Sequence, residues 1–154
     1  MAFLALITWL ITASGGLYLL AIWLIEYDRE FQSAAATRLP VPVISAHALL
    51  AFGGLTVWAA YLVTDTSRLA WVASATLGVV ALLGLTMAER WMRVYRTHNA
   101  PLAPSMRAGG QGGSAAATIP VPPERHFPLP VVILHGVFGV STILLVLLTA
   151  LTGS

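Results

Sequence analysis

The sequence predicts an all-α fold: a polytopic membrane protein whose four transmembrane helices form an up-down bundle made of two helical hairpins. Three observations support this prediction. Of the 154 residues, 58% are hydrophobic and only 9% are charged, which is not the composition of a soluble domain. Four stretches are long enough to cross a bilayer, which takes about 20 mostly apolar residues. The loop between the second and third stretches is so short that these two helices must be antiparallel neighbours.

The four predicted helices cover residues 2–25, 42–63, 69–91 and 130–151 of a single transmembrane domain, residues 1–154. Apart from the last turn of the third helix, they contain no Asp, Glu, Lys or Arg. The first stretch has no basic residue before it and is longer than the roughly 7–15 apolar residues of a secretory signal. We therefore interpret it as a retained helix.

Proline marks the start of the second and fourth helices. Pro42 and Pro130 suit a first helical turn, whose backbone N–H groups have no partner within the helix. Pro40 and Pro128 keep the chain extended just before each helix. Between the third and fourth helices, residues 99–123 are rich in Gly, Ala, Ser and Pro, which predicts a flexible cytoplasmic linker.

The arginines are distributed asymmetrically along the chain. Seven of the eight lie in or beside the first and third loops: Arg29, Arg38, Arg90, Arg93, Arg96, Arg107 and Arg125. Arg68 lies in the second loop. By the positive-inside rule, loops one and three are predicted to be cytoplasmic and both termini external, in a multi-pass protein of the cell's inner (plasma) membrane. No run of arginines is dense enough to predict a nucleic-acid partner.

One motif, P-x-P-x-x-x-x-H, occurs twice, at residues 40–47 and 128–135. Small residues follow one and four places after each histidine: Ala48 and Ala51 in the first copy, Gly136 and Gly139 in the second. Each copy opens an apolar stretch, so His47 and His135 are predicted at equal depth, ~7–8 Å inside their helix starts and in the cytoplasmic third of the membrane. The internal repeat is clear between the second and fourth helices and weak between the first and third.

An imidazole inside a bilayer is costly enough to indicate a functional site. In an up-down bundle the second and fourth helices are parallel and diagonal, so the two histidines can face each other. Facing imidazoles suit the axial positions of one haem b per chain, and small neighbouring residues make room for the flat macrocycle. Haem propionates need cationic partners at the membrane edge, for which Arg90 and Arg93 are the first candidates, ahead of Arg38 and His126.

The bundle plan, with His47 and His135 in its core, resembles that of four-helix b-type membrane cytochromes, in which parallel helices clamp haem between histidines. The resemblance implies one-electron transfer and a bound haem b. Related cytochromes with two haems carry further core histidines, and this chain has none. The absence of cysteine excludes the covalent attachment of c-type haem, thiolate-ligated iron–sulfur clusters and disulfides.

Other interpretations of the histidine pair stay open at this point. A histidine within the membrane can simply hydrogen-bond a Ser, a Thr or a backbone carbonyl of another helix. Zinc usually takes four protein ligands, and here only Glu89 could join the two histidines. Two bacteriochlorophylls, or a quinone hydrogen-bonded to a histidine, would also fit the pair.

The preferred hypothesis is a small membrane-bound haem b protein that transfers single electrons, linked to quinol or to a larger redox complex. The chain would be an electron carrier or an oxidoreductase subunit only if it binds haem. The sequence indicates no catalytic residue. The alternative is a non-catalytic accessory subunit of a larger respiratory or photosynthetic membrane complex, with structural histidines. A third hypothesis, that the chain is a channel or carrier, is disfavoured because no buried charge marks an ion path. The expected partners are the lipid bilayer, a quinol, and a larger membrane redox complex or a second copy of the chain.

Overall fold

A computed structural model of the chain describes residues 1–27, 39–99 and 123–153, and all the secondary structure in these ranges is helical. In chain order the elements are α1 (Ala2–Glu26), α2 (Val41–Thr64), α3 (Ser67–Asn99), a short 3-10 helix (Pro123–His126) and α4 (Leu129–Thr152). Most of the predicted linker, residues 100–122, lies outside the described residues, as does Arg38.

The four α-helices are each long and apolar enough to cross a membrane. Helices α1, α2 and α4 contain 25, 24 and 24 residues. At 1.5 Å per residue they are about 36 Å long, more than the roughly 30 Å of a hydrocarbon core. Helix α3 has 33 residues and ends at Asn99, eight residues beyond the predicted end at residue 91. Its extension contains Met92, Arg93 and Arg96, residue types that favour helix after the apolar stretch has ended.

Helices α2 and α4 begin and end in the same way. The carbonyls of Pro40 and Pro128 accept hydrogen bonds from backbone N–H groups three and four residues later, which closes the first turn of each helix. At the other end, Asp65 (φ 51°) and Gly153 (φ 68°) adopt left-handed backbone conformations, and each donates its N–H to the carbonyl four residues before. The sequence repeat between these helices is therefore also a structural repeat.

The helices form a ring in which α1 packs most extensively on α4, and α2 on α3. Packing between α1 and α2, and between α3 and α4, is less extensive. Within the described helices the backbones of α2 and α4 do not come close to each other, nor do those of α1 and α3, so these pairs lie diagonally across the bundle. The main packing pairs are therefore α1–α4 and α2–α3, which differ from the two sequential hairpins predicted from chain order.

Helices α1 and α3 are also related to each other. Aligning Ala5 with Ala73, which are both fully buried, brings Trp23 onto Trp91, and these two are also buried. In each helix the tryptophan ring contacts a tyrosine ring one turn later, with ring centroids 4.5 Å apart in α1 and 5.3 Å apart in α3. Exchanging α1 with α3 and α2 with α4 preserves the packing pairs, so the bundle has an internal two-fold relation.

Buried side chains form two layers, one near each end of the bundle. The Trp58 layer, near the end where α2 meets α3, consists of Ala5, Trp9, Trp58, Tyr61, Ala70, Ala73, Leu77, Val146 and Ala150. The Trp91 layer, at the opposite end, consists of Trp23, Leu39, Trp91, Val94, Pro123 and Glu124. Both layers hold large aromatic side chains, and in the Trp58 layer the Trp58 indole N–H donates to the Ala2 carbonyl of α1 (3.3 Å).

Between the two layers lies a level without fully buried residues. Along one stretch of every helix no residue is buried: 10–22 in α1, 41–53 in α2, 81–90 in α3 and 129–141 in α4. The residues of these four stretches are half-buried or exposed, so burial is lowest at this level of the bundle. Both motif histidines belong to this level, which we call the open level.

The packing of the Trp58 layer is tested by alanine at Gly54. A Cβ atom there would lie 3.1 Å from the Trp9 ring and 3.2 Å from Thr76 Cγ2, and overpacking of this kind costs about 1–3 kcal/mol. We expect Gly54→Ala to lower the melting temperature of the detergent-purified protein. The control is Gly53→Ala, where a Cβ meets nothing within 4 Å. Equal melting temperatures for the two variants would contradict this packing.

Candidate functional site

His47 and His135 occupy equivalent positions in α2 and α4. Each is six residues from the first residue of its helix, or about 9 Å along the helix axis. Both helices start at the end of the bundle where α1 and α3 finish, which is the end of the Trp91 layer. Both imidazoles therefore lie in the open level, at the same depth.

The two imidazoles face each other across the centre of the bundle. Their ring centroids are 6.2 Å apart and their planes are inclined by 57°. Two imidazoles bound on opposite sides of one metal ion have centroids roughly 6 Å apart, given about 2 Å for each metal–nitrogen bond. The observed spacing therefore suits a single metal centre held from both sides.

Each imidazole is hydrogen-bonded to a backbone carbonyl of a neighbouring helix. His47 Nδ1 is 3.0 Å from the Val80 carbonyl oxygen of α3, and His135 Nδ1 is 2.9 Å from the Thr12 carbonyl oxygen of α1. A carbonyl oxygen only accepts, so Nδ1 must be the donor in both bonds and Nε2 keeps its lone pair. Neither Nε2 atom has a hydrogen-bond partner among the described residues. A carbonyl bonded to one ring nitrogen is the usual arrangement when the other nitrogen binds a metal.

A glycine lies one helical turn beyond each of these carbonyls. A Cβ atom at Gly84 of α3 would lie 3.1 Å from His47 Cε1, and one at Gly16 of α1 would lie 2.9 Å from His135 Cε1. Each imidazole therefore rests against the bare backbone of the neighbouring helix. The two-fold relation of the bundle extends to the immediate surroundings of both histidines.

The small residues that follow the histidines in sequence take different positions. Gly136 is exposed, and a Cβ there would meet no atom within 4 Å. Gly139 is half-buried, and a Cβ there would be 3.8 Å from Thr12 Cγ2. Ala48 and Ala51 are half-buried on α2. Glycines of α1 and α3, rather than Gly136, therefore lie against the imidazoles.

The two arginines predicted beside the site, Arg90 and Arg93, are exposed near the end of α3. They follow Gly84 by six and nine residues, which places them about 9 and 14 Å further along the helix axis. Arg93 forms an ion pair with Glu89, one turn earlier on the same helix. Both arginines thus lie at the end of the bundle nearer to the histidines.

The 3-10 helix adds further titratable groups at this end. It packs against α1 and α3, and its Glu124 is fully buried in the Trp91 layer. His126 Nδ1 lies 3.8 Å from Glu26 Oε2 at the end of α1, and both of these side chains are partly exposed. Sequence reasoning placed His126 at the surface but did not single out Glu124, because nothing in the sequence distinguishes it from a solvated loop residue.

Sequence reasoning also missed the groups that hold the imidazoles. Carbonyls such as those of Thr12 and Val80 leave no mark in a sequence, because every residue carries one. The glycines do leave a signal: the alignment of α1 with α3 that matches their alanines and tryptophans also places Gly16 on Gly84. This pattern was detectable before the structure was known.

The donor set of the site is two imidazole nitrogens on opposite sides of an open space. Within the described ranges, no group of three or more candidate ligands among His, Asp and Glu comes together. A metal ion between the imidazoles would therefore take its remaining ligands from a non-protein group. Structural zinc sites have four protein ligands, whereas haem iron receives four nitrogens from the macrocycle and only axial ligands from the protein. The residues present fit haem iron better than zinc.

Comparisons with known proteins return no match. No protein-family model covers the chain, and neither a curated protein nor a solved structure is significantly similar to it. The function has to be inferred from the geometry and chemistry of the site itself.

The orientation of the imidazoles can be checked by ¹⁵N NMR of histidine-labelled protein without bound cofactor. At pH about 8, above the ordinary imidazole pKa of about 6.5, we expect His47 and His135 to be protonated at Nδ1 and unprotonated at Nε2. Alanine variants assign the signals, and the partly exposed His126 is the internal control. A proton on Nε2 of either core histidine would contradict the hydrogen bonds to the carbonyls.

Proposed function

We propose that the chain is a small membrane-bound haem b protein that carries single electrons, with His47 and His135 as the two axial ligands of one haem. The observation that carries the proposal is the facing imidazole pair, with centroids 6.2 Å apart. Both Nδ1 atoms are held by carbonyls and both Nε2 atoms are without a partner in the described part of the chain. This combination is suited to two-sided ligation and is oriented before any ligand arrives.

The open level supports the proposal because a macrocycle needs a flat space between helices. Packed layers lie on both sides of this level, and the stretches without buried residues occur in all four helices at the depth of the imidazoles. Haem b is held without covalent bonds, so a chain with no cysteine is suited to it. The two aromatic layers would limit the access of water from either end.

Haem, when bound, supplies a reversible one-electron iron couple whose potential depends on its axial ligands and surroundings. The contributions of the chain are to bind the group through His47 and His135 and to orient both imidazoles through their Nδ1 hydrogen bonds. Arg90 and Arg93, at the nearer end of the bundle, are the residues that would neutralise the propionates. Because the four long helices are apolar, a lipid-soluble quinol or a larger membrane redox complex is the corresponding electron partner.

A second function is favoured by one specific observation. The Nδ1 hydrogen bonds already join α2 to α3 and α4 to α1, and bonds of this kind stabilise helix association in membranes by about 0.6–2 kcal/mol. On this alternative the chain is a non-catalytic accessory subunit of a larger respiratory or photosynthetic complex, and its histidines are structural. The haem hypothesis is preferred because it gives both Nε2 lone pairs a partner, whereas a structural role leaves them unused within the described residues.

The haem hypothesis is tested by the reduced-minus-oxidised absorption spectrum of the purified protein. We expect a sharp low-spin b-type signal in the native protein, because two imidazoles are strong axial ligands. His47→Ala and His135→Ala should each lower haem retention by about tenfold or more, or leave high-spin haem. Ser45→Ala, at an exposed position two residues before His47 on the same helix, is the control and should keep the native spectrum. A folded native protein that binds no haem would refute the proposed function and favour the accessory subunit.

The proposed orientation places loops one and three in the cytoplasm and both termini outside. The chain has no cysteine, so single cysteines can be introduced without background labelling. Thr66→Cys, between α2 and α3, should react with a membrane-impermeant maleimide on intact cells. Arg96→Cys, near the end of α3, should react only after the membrane is opened. The reverse pattern would show that the positive-inside rule gives the wrong orientation for this chain.

A further inference from the structure

We infer that Gly16 and Gly84 are positioning residues of the histidine site. Each lies against one imidazole and leaves open the approach to the carbonyl that orients it. The inference deepens the proposed function and rests on it for the metal-bound state. The orientation of the imidazoles in the cofactor-free protein, however, does not depend on that function.

The contacts hold each ring at two points. One point is the Nδ1 hydrogen bond to a carbonyl, and the other is the contact of the ring edge with the glycine, at Cε1. An ideal Cβ at Gly84 would be 3.1 Å from Cε1 and 3.6 Å from Nδ1 of His47. An ideal Cβ at Gly16 would be 2.9 Å from Cε1, 3.5 Å from Nδ1 and 3.8 Å from Nε2 of His135. A ring fixed at both points has little freedom to rotate, and its Nε2 direction is set.

Helix geometry explains why the second point must be a glycine. The carbonyls belong to Val80 and Thr12, and the glycines follow four residues later, at 84 and 16. In an α-helix the Cα–Cβ bond tilts towards the N-terminus, so a side chain at i+4 lies over the carbonyl of residue i. That carbonyl already accepts the helical N–H bond, and an imidazole must reach its remaining lone pair from the side. A side chain at either glycine position would block this approach.

Other glycines of the chain show that the requirement is local. A Cβ would meet nothing within 4 Å at Gly53, Gly78 or Gly136, and at Gly15 it would make only ordinary 3.7 Å contacts with Cβ and Nδ1 of His135. The tight contacts with a histidine occur at Gly16 and Gly84, on the two helices that supply the carbonyls. The same combination of carbonyl and glycine is present in both halves of the bundle.

The expected effect of a methyl group at these positions is specific. The atoms that it would meet belong to the imidazole ring of a side chain, not to the backbone of another helix. The imidazole can therefore turn away while the helices stay packed, but the turn breaks the Nδ1 bond and redirects Nε2. Loss of ligand orientation in a folded protein is the result that separates positioning from simple helix packing.

The experiment compares Gly84→Ala with Gly78→Ala on α3, and Gly16→Ala with Gly15→Ala on α1. For Gly84→Ala and Gly16→Ala we expect mixed or high-spin ferric haem by electron paramagnetic resonance. Carbon monoxide should also bind to the reduced protein at a level at least about tenfold above that of the native protein. The two control variants should keep the native low-spin spectrum. Melting temperatures measured in parallel verify that each variant is folded.

Two results would overturn the inference. The first is a native low-spin spectrum without carbon monoxide binding in both Gly84→Ala and Gly16→Ala. The second is a lower melting temperature with an unchanged spectrum, which would assign the glycines to helix packing alone. If the native protein binds no haem, the proposed function fails. ¹⁵N NMR of the cofactor-free variants then decides whether the glycines position the imidazoles. Loss of the Nδ1–H form of His47 in Gly84→Ala, but not in Gly78→Ala, supports positioning, and an unchanged His47 overturns it.

Discussion

The hydrogen bond from an imidazole Nδ1 to a carbonyl of the neighbouring helix is the interaction on which the rest of the site depends. A polar ring in an apolar bundle needs a partner, and the Val80 and Thr12 carbonyls provide one for His47 and His135. The same bond fixes which ring nitrogen carries the proton, so the Nε2 atoms can act as ligands. It also ties α2 to α3 and α4 to α1, which are the most extensively packed pairs. One hydrogen bond thus both satisfies the polar ring and fixes its orientation.

The internal two-fold relation gives both halves of the site the same construction. In each half a histidine near a helix start bonds a carbonyl of the adjacent helix and rests on a glycine one turn beyond it. A ligand between two such halves meets the same donor on both faces, which suits a flat group with a metal at its centre. The halves differ further from the site: Glu26 and His126 lie beside the end of α1, whereas α3 continues with Arg93 and Arg96.

Burial is distributed unevenly along the bundle. The Trp58 layer contains Trp9, whose ring lies against Gly54, and the Trp91 layer contains the buried Trp23 and Trp91. Between them, the residues of the open level are half-buried or exposed. A group bound between the histidines would add contacts at this level.

The sequence by itself determined the four helices and the equal depth of the histidines. An apolar stretch of about 20 residues has few alternatives to a helix in a membrane, and Pro42 and Pro130 define the helix starts from which that depth follows. It did not determine the end of α3, because the polar segment after residue 91 is compatible with helix or loop. Only the tertiary structure decided that α1 packs on α4, that the imidazoles face each other, and that the Val80 and Thr12 carbonyls hold them. These are contacts between distant segments, made partly by backbone groups that every residue shares, so local sequence patterns do not reveal them.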